Sequence, residues 1–358
     1  MSRLKVGMIG AGQVAELHAR GYLDSPDADI VAVCDKSEDR AIARSLDWGA
    51  KAYYSSVTRM LKEADLDAVS ILSPHELHQK HALASIESGC HVCVERPVAQ
   101  SLEGADKVVK TAKKAKRALQ IYEPCLFHKP LLDARNLIDN GEIGKPTAIN
   151  ISTNIASATD GGWNHGKGDA DRWRFLKKEG QATTPLLFDI GYQAFCISLF
   201  LIGSVEKVEV WRSVSEFTDD LKIEAPTTAI WKHFKQDCYG SLSLTYTPKR
   251  KLETKHQPLE FTIDIVGTRG DITIYRTPDP SRYEASVRLR RSGRTVLYDQ
   301  KLRAYEGSYE RATKNFIDAC RGDGAPLLQG SEAKQLLVLT LAFAESAKHA
   351  QSVSLQHG

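Results

Sequence analysis

Through the first third of the chain, short apolar runs alternate with amphipathic stretches. Leu4–Ile9, Asp29–Cys34, Ala68–Leu72, His91–Glu95 and Ala118–Tyr122 are rich in Val and Ile and bounded by Gly, Pro, Asp or Ser. Such runs predict buried strands. Between them, helices are predicted near Val14–Asp24, Glu38–Trp48, Ser56–Ala64, Leu77–Glu87 and Leu102–Lys116. Strand, helix and strand repeated in this way imply right-handed crossovers and a parallel sheet covered on both faces.

The pattern changes after about residue 123. Leu131–Asn140 predicts a helix ending at Gly141, and Pro185–Leu201 a buried helix. Thr153–Gly168 has no period and is rich in Thr, Ser, Asn and Gly, which predicts a long loop of the kind that often carries function. Lys207–Trp211, Thr228–Phe234, Tyr239–Tyr246, Glu260–Val266 and Asp271–Tyr275 alternate apolar and polar residues, as antiparallel strands with one solvated face do. Two helices, near Tyr305–Cys320 and Ser331–Ala350, close the chain.

Composition narrows the function classes. The 358 residues are 42% hydrophobic and 26% charged, with a formal net charge of +3. Those values describe a folded globular protein of about two domains and give nucleic acid no electrostatic footprint. Seven irregularly spaced Cys argue against a disulfide framework and for a reducing compartment. Ala194–Ile202 and Leu336–Ala344, the longest apolar runs, fall short of the roughly 20 residues of a membrane-spanning helix. Arg3 and Lys5 precede an apolar stretch as in a secretory signal, but Gln13, Glu16 and His18 interrupt it, so a cytoplasmic protein is expected.

Candidate chemistry begins at Val6–His18. A strand runs into Gly10-Ala11-Gly12-Gln13-Val14-Ala15 and then into a helix. Gly10 permits the tight turn, Gly12 lets a pyrophosphate approach the backbone, and Ala15 lets helix and strand pack closely. Gln13 and Val14 open a helix whose free N–H groups favour an anion. Asp35 ends the second strand about 20 residues later, where a carboxylate binds ribose hydroxyls and repels a 2′-phosphate. NAD is therefore expected over NADP. Cys90-His91-Val92-Cys93 is not read as a metal site: residues three apart on a strand face opposite ways, and no second His/Cys pair has zinc spacing.

Further residues point to a family. Ser73-Pro74-His75 with His78, then Gly89, His91, Val92 and Glu95-Arg96-Pro97 with Ala99, are similar to a pattern of the Gfo/Idh/MocA oxidoreductases. Leu137–Gly144 and Asp189-Ile190-Gly191-Tyr192-Gln193 resemble two later segments of that family. The resemblance implies an N-terminal Rossmann domain, a doubly wound parallel sheet over 1–123. It also implies a C-terminal α+β domain over 124–358, with a large open, mainly antiparallel sheet. It implies hydride transfer between NAD and a carbinol carbon of a sugar, glycoside, cyclitol or related diol. Ser73, Pro74, His75, His78, Glu95 and Arg96 would border the cofactor, and the open sheet would form a homodimer or homotetramer.

Two positions depart from the pattern. The family's proton-handling Lys and His are here Arg96 and Gln193. Arginine stays protonated at working pH, and Gln has no titratable proton. Arg96 can hold an oxygen or a carboxylate and stabilise a developing alkoxide, and Gln193 can orient a hydroxyl. Asp189, four residues before Gln193 on the predicted helix, is left as a base or as an anchor for Arg96. Tyr122, at the end of the last strand, is a further candidate acid. Trp173 and Arg174 offer a flat face and an anion fork, and Tyr192 and His165 are candidate substrate contacts. Two other readings stay open: redox-neutral elimination through a transient ketone, with NAD recycled, and a catalytically silent NAD-binding subunit.

Overall fold

The computed structural model describes residues 2–158, 176–177, 187–218, 221–234, 236–252, 259–276, 286–298 and 306–355. The chain divides into two compact units, Met1–His128 with Arg303–Leu337, and Lys129–Leu302 with Val338–Gly358.

In the first unit, strands and helices alternate along the chain: β1 (Leu4–Ile9), α1 (Gln13–Leu23), β2 (Ala28–Cys34), α2 (Glu38–Asp47), β3 (Ala52–Tyr54), α3 (Val57–Glu63), β4 (Ala68–Ile71), α4 (His75–Glu87), β5 (His91–Glu95), α5 (Leu102–Ala115) and β6 (Leu119–Tyr122). The sheet is parallel, in the order β3-β2-β1-β4-β5-β6. This is the doubly wound order whose reversal, between β1 and β4, opens a ligand crevice at the carboxyl ends of the strands. Ser37, Ser56 and Ser101 cap α2, α3 and α5 with their hydroxyls. Gly12 caps α1 with no side chain at all, so the first N–H groups of α1 are left to a ligand.

Helix α8 (Glu306–Arg321) and the first turns of α9 (Gly330–His349) belong to this first unit, although they follow the second sheet in the chain. Gly21 leaves room for α8: a Cβ there would lie 2.6 Å from Thr313. Gln120 Nε2 donates to Ala312 O at 3.0 Å, and Lys334 pairs with Asp106 at 2.9 Å. A single crossing at residue 123 leaves these helices in the second domain. Periodicity shows which face of a helix is apolar, not which sheet covers it.

The second unit comprises α6 (Lys129–Asp139), β7 (Pro146–Ala158), β8 (Leu176–Lys177), α7 (Tyr192–Leu201), β9 (Val205–Arg212), β10 (Ser215–Thr218), β11 (Leu221–Ile223), β12 (Thr227–His233), β13 (Tyr239–Leu252), β14 (Leu259–Gly267), β15 (Gly270–Arg276), β16 (Val287–Arg291), β17 (Arg294–Tyr298), the rest of α9 and β18 (Val353–Ser354). Nine strands form one sheet, β17-β16-β15-β14-β7-β13-β12-β9-β18, and β10-β11-β8 form a small one. Among the described residues, only β7 and β13 pair in parallel within the large sheet, and its other pairings are antiparallel.

One face of the large sheet is apolar and covered. Ile149, Ile151 and Ile155 of β7, Leu242 and Leu244 of β13, and Trp231 of β12 are buried there. Phe195 of α7 meets Trp231 and Phe343 of α9 edge-on, with ring centroids 5.5 and 4.8 Å away. The other face is open and carries Asn150, Ser152, Ser241 and Ile230.

The expectation of a loop over Thr153–Gly168 is corrected for Thr153–Ala158, which are strand. Composition misled here because the polar residues of β7 serve a ladder. Asn154 Nδ2 donates to the hydroxyls of Thr245 and Thr247, both at 2.8 Å, while Thr153 and Ile155 face the core. Residues 159–168 lie outside the described residues.

Candidate active site

The carboxyl ends of the first sheet bring most of the expected residues together. Gly10 has φ +98°, and a Cβ there would strike the Leu72 backbone at 2.7 Å, so only glycine turns the chain at this point. At Gly12 a Cβ would meet nothing within 4 Å. That space, at the uncapped start of α1, is the open cradle a pyrophosphate needs. Ala15 is fully buried behind it.

Asp35 links the end of β2 to this turn. Its Oδ2 accepts from Ala11 N at 2.9 Å, and its Oδ1 accepts from Ser37 N at 2.9 Å. Each oxygen keeps a lone pair for a ribose hydroxyl. Arg40 lies 3.6 Å away as a half-exposed counter-charge. The residues present therefore fit a dinucleotide: the Gly10–Val14 backbone would hold its phosphates and Asp35 its ribose.

Ser73, Pro74 and His75 follow β4 and start α4, beside β1 in the crevice. Ser73 Oγ is 3.0 Å from His81 Nδ1. Burial pushes His81 down to about 4, with His78 and Lys80 adding to the shift. His78 is the next residue expected to border the cofactor. It is fully buried, with Nδ1 2.8 Å from Pro97 O and Nε2 2.6 Å from Ser73 O. It ties the β4 and β5 ends together from behind.

Past β5, a guanidinium stands between two carboxylates. Arg96 Nη1 is 3.4 Å from Glu95 Oε2, and Arg96 Nε is 3.1 Å from Glu123 Oε2. Glu95 Oε1 in turn lies 2.9 Å from Nε2 of the buried His18 on α1. Glu123 carries no motif of its own in the sequence. Its signal is the register: Glu95 pairs with Tyr122, so the residue after β5 comes beside the residue after β6. Glu123 is 1% exposed and also accepts from Cys125 N at 3.3 Å. Burial pushes its carboxyl above the ordinary value, and Arg96 only partly offsets that. Burial acts on Glu95 too, but His18 and Arg96 outweigh it and hold that carboxyl below its ordinary value.

Tyr122, the candidate acid, lies in the core of the first unit. Its hydroxyl is buried, donates to Tyr309 O at 2.8 Å and lies 3.1 Å from Thr313 Oγ1. Burial lifts its phenol well above the ordinary value, and its ring stacks on His18 at 3.7 Å.

The second unit carries Asp189, Tyr192 and Gln193, all buried. Asp189 lies in a single π turn, Leu187–Gly191, that runs into α7. Such turns are rare and recur at functional sites. His165, Trp173 and Arg174 lie outside the described residues. Among the described residues no group of His, Cys, Asp and Glu could hold a metal ion, and no helix is long and apolar enough to cross a membrane.

Residues 4–123 match the family model for the Gfo/Idh/MocA oxidoreductases with an NAD-binding Rossmann fold, and residues 135–355 match that family's C-terminal alpha/beta domain. The chain belongs to this oxidoreductase family. It is 32% identical over 232 residues to D-glucoside 3-dehydrogenase of Escherichia coli, a match spanning 60% of this chain and 62% of that relative. It is 22% identical over 356 residues to myo-inositol 2-dehydrogenase of Thermotoga maritima, 99% of each chain. Among solved structures, a levoglucosan dehydrogenase in complex with NADH and levoglucosan superposes with TM-score 0.79 at 19% identity, covering 99% of this chain and 100% of that one. The WlbA dehydrogenase of Bordetella pertussis, in complex with NADH and UDP-GlcNAcA, does so with TM-score 0.77 at 20% identity, covering 99% and 100%. At these identities the two structures share the fold.

Proposed function

We propose that the protein is an NAD-dependent dehydrogenase that oxidises a carbinol carbon of a sugar, glycoside or cyclitol. The observation that carries this reading is the convergence, at the carboxyl ends of one parallel sheet, of an open glycine cradle, the ribose-type carboxylate Asp35 and the fixed cation Arg96. Several relatives are named as acting on glucosides and inositols, which supports the substrate class.

NAD, when bound, supplies the hydride acceptor. The chain would do the rest. The Gly10–Val14 backbone and Asp35 hold the dinucleotide, and Ser73, Pro74 and His75 border it. Arg96 donates hydrogen bonds to the substrate oxygen and stabilises the negative charge that develops there. Since neither Arg96 nor Gln193 can take the proton, Asp189 is proposed as its acceptor and Gln193 as a hydroxyl-orienting group. Trp173, Arg174, Tyr192 and His165 remain proposed substrate contacts.

The test is NADH formation at 340 nm with NAD+ and a panel of glucosides, cyclitols and diols. Stoichiometric NADH with at least one compound, abolished in Asp189→Asn, is expected. Product formed on catalytic NAD would replace this reading with redox-neutral elimination. Tight NAD binding with no turnover on any compound would replace it with a silent subunit.

The open face of the large sheet exposes Trp211, Ile230 and Tyr239. We propose that this face pairs with a second copy in a homodimer or homotetramer. The seven Cys are free thiols, which fits a reducing compartment such as the cytoplasm.

A further inference from the structure

Asp35 and Ser73 flank the glycine turn from opposite sides. Asp35 follows β2, Ser73 follows β4, and the strand order reverses between β1 and β4. A dinucleotide laid across that reversal puts one nucleoside on each side. With the adenosine ribose at Asp35, the nicotinamide nucleoside falls on the β4 side. Ser73 lies close to the turn. Leu72 N donates to Ile9 O at 2.7 Å, and a Cβ on Gly10 would come within 3.0 Å of Ser73 N. Two histidines of α4 grip Ser73. His78 and His81 are three residues apart and share a helix face. His78 Nε2 lies 2.6 Å from Ser73 O and fixes the backbone, while His81 Nδ1 lies 3.0 Å from Ser73 Oγ. Ser73 and His81 are both half-buried. The burial that takes His81 down to about 4 leaves its ring uncharged at neutral pH, with one nitrogen able to accept a hydrogen bond. A serine hydroxyl has one proton and two lone pairs, so the direction of its proton decides what the oxygen can offer a ligand.

We propose that His81 is a positioning residue for the cofactor: its Nδ1 accepts a hydrogen bond from the Ser73 hydroxyl and turns the lone pairs of Oγ towards a donor on the nicotinamide nucleoside. This rests on the reading that the Gly10–Val14 turn and Asp35 hold the dinucleotide. The ligand group is a hydrogen-bond donor, either a ribose hydroxyl or the carboxamide NH2. A hydroxyl without a fixed partner rotates, whereas one pinned on His81 has lost that freedom before the ligand arrives. The neutral imidazole also suits the ligand. The nicotinamide ring of NAD+ carries a positive charge, and an uncharged partner behind Ser73 adds no repulsion to it. His81 does not touch the cofactor; it acts through Ser73.

The experiment compares two ligands by titration calorimetry at neutral pH. NAD+ carries the nicotinamide nucleoside, and ADP carries the adenosine and the two phosphates without it. Ser73→Ala and His81→Leu are each expected to weaken NAD+ binding about three- to tenfold, with ADP changed less than about twofold. The double variant should lose no more than the larger single loss, because both changes remove one interaction. His81→Asn, whose Oδ1 can accept where Nδ1 did, should recover most of the affinity. Equal losses for NAD+ and ADP would mean that the pair merely supports the turn, and would overturn the proposal. Unchanged NAD+ affinity in either single variant, additive losses in the double variant, or no recovery in His81→Asn would overturn it too. Should His81→Leu fail to fold, the other two single variants decide. Ser73→Ala must then lose NAD+ selectively while His81→Asn stays near the wild type, and any other pattern overturns the proposal. A wild type that binds neither ligand would remove the cofactor reading as well, whereas the other outcomes leave that reading standing. Absence of turnover in the 340 nm panel would sink the dehydrogenase reading alone, because this readout involves no hydride transfer.

Discussion

Arg96 and Glu123 sit on neighbouring parallel strand ends with Nε and Oε2 3.1 Å apart, and one of the pair is buried to 1% exposure. The pair fixes a permanent cation at the carboxyl end of the parallel sheet. Arg96→Ala should therefore lower kcat by about 10²–10³ while NAD+ affinity stays within a few-fold, since the lost interaction is with developing charge. Arg96→Lys should retain part of the rate and add an ionisation to the kcat–pH profile that the wild type lacks. Steady-state kinetics over pH, with NAD+ titrated separately by fluorescence, checks both. An unchanged kcat in Arg96→Ala would remove Arg96 from the chemistry.

The two turn glycines should fail in different ways. Gly12→Val projects into open space, so the melting temperature should hold within about two degrees while NAD+ affinity falls tenfold or more, because the side chain fills the phosphate cradle. Gly10→Ala meets the Leu72 backbone at 2.7 Å from a left-handed φ, and should cost several degrees of stability. Thermal melts beside NAD+ titrations separate the two. A stable Gly12→Val with full affinity would refute the cradle.

Tyr122→Phe should behave as a core change. Removing the hydroxyl leaves Tyr309 O without its 2.8 Å donor, a loss of about 1–3 kcal/mol, visible as a lower melting temperature. Turnover at saturating substrate should change less than threefold. A hundredfold drop would restore Tyr122 as an acid.

Acid should destabilise the first unit through His81. In the unfolded chain this histidine titrates near 6.5, and in the fold at about 4. The unfolded state then binds a proton that the folded state refuses. Stability is full above about pH 6.5 and falls as the pH drops towards 4. His81→Gln should make the loss of melting temperature across that window shallower. An identical slope would mean that His81 is not depressed.

The uncovered sheet face predicts self-association. Wild type should run by light scattering at two or four times the 39.6 kDa chain mass, and Trp211→Glu with Ile230→Glu should shift it to the single mass. A monomeric wild type would exclude the pairing.

Much of this was legible in the chain, and the rest was hidden for definable reasons. β1 and β5 have the bounds that their apolar runs predicted, because the buried middle of a parallel strand leaves a run of apolar positions. β3, three residues of mixed exposure, has no length over which to show a period. Gly10, Gly12 and Asp35 were readable because backbone geometry dictates those residue types at that spacing. Glu123 was not: its importance comes from the partner that strand register places beside it. The burial of His78 and Tyr122 was not legible either, because sequence shows which strand end a side chain is near, not which way it points. The helices over Glu306–Arg321 and the start of α9 were recognised as helices but not as covers of the first sheet, since chain order is a poor guide to partners across more than a hundred residues.

Direct hydride transfer from a substrate carbon to NAD is followed with an isotope on that carbon. A compound that turns over is prepared with deuterium on the reacting carbinol carbon, and the NADH formed is analysed by mass spectrometry. Deuterated NADH in a one-to-one ratio with ketone is expected. NADH without deuterium, or product formed while NAD+ is unchanged, would contradict it.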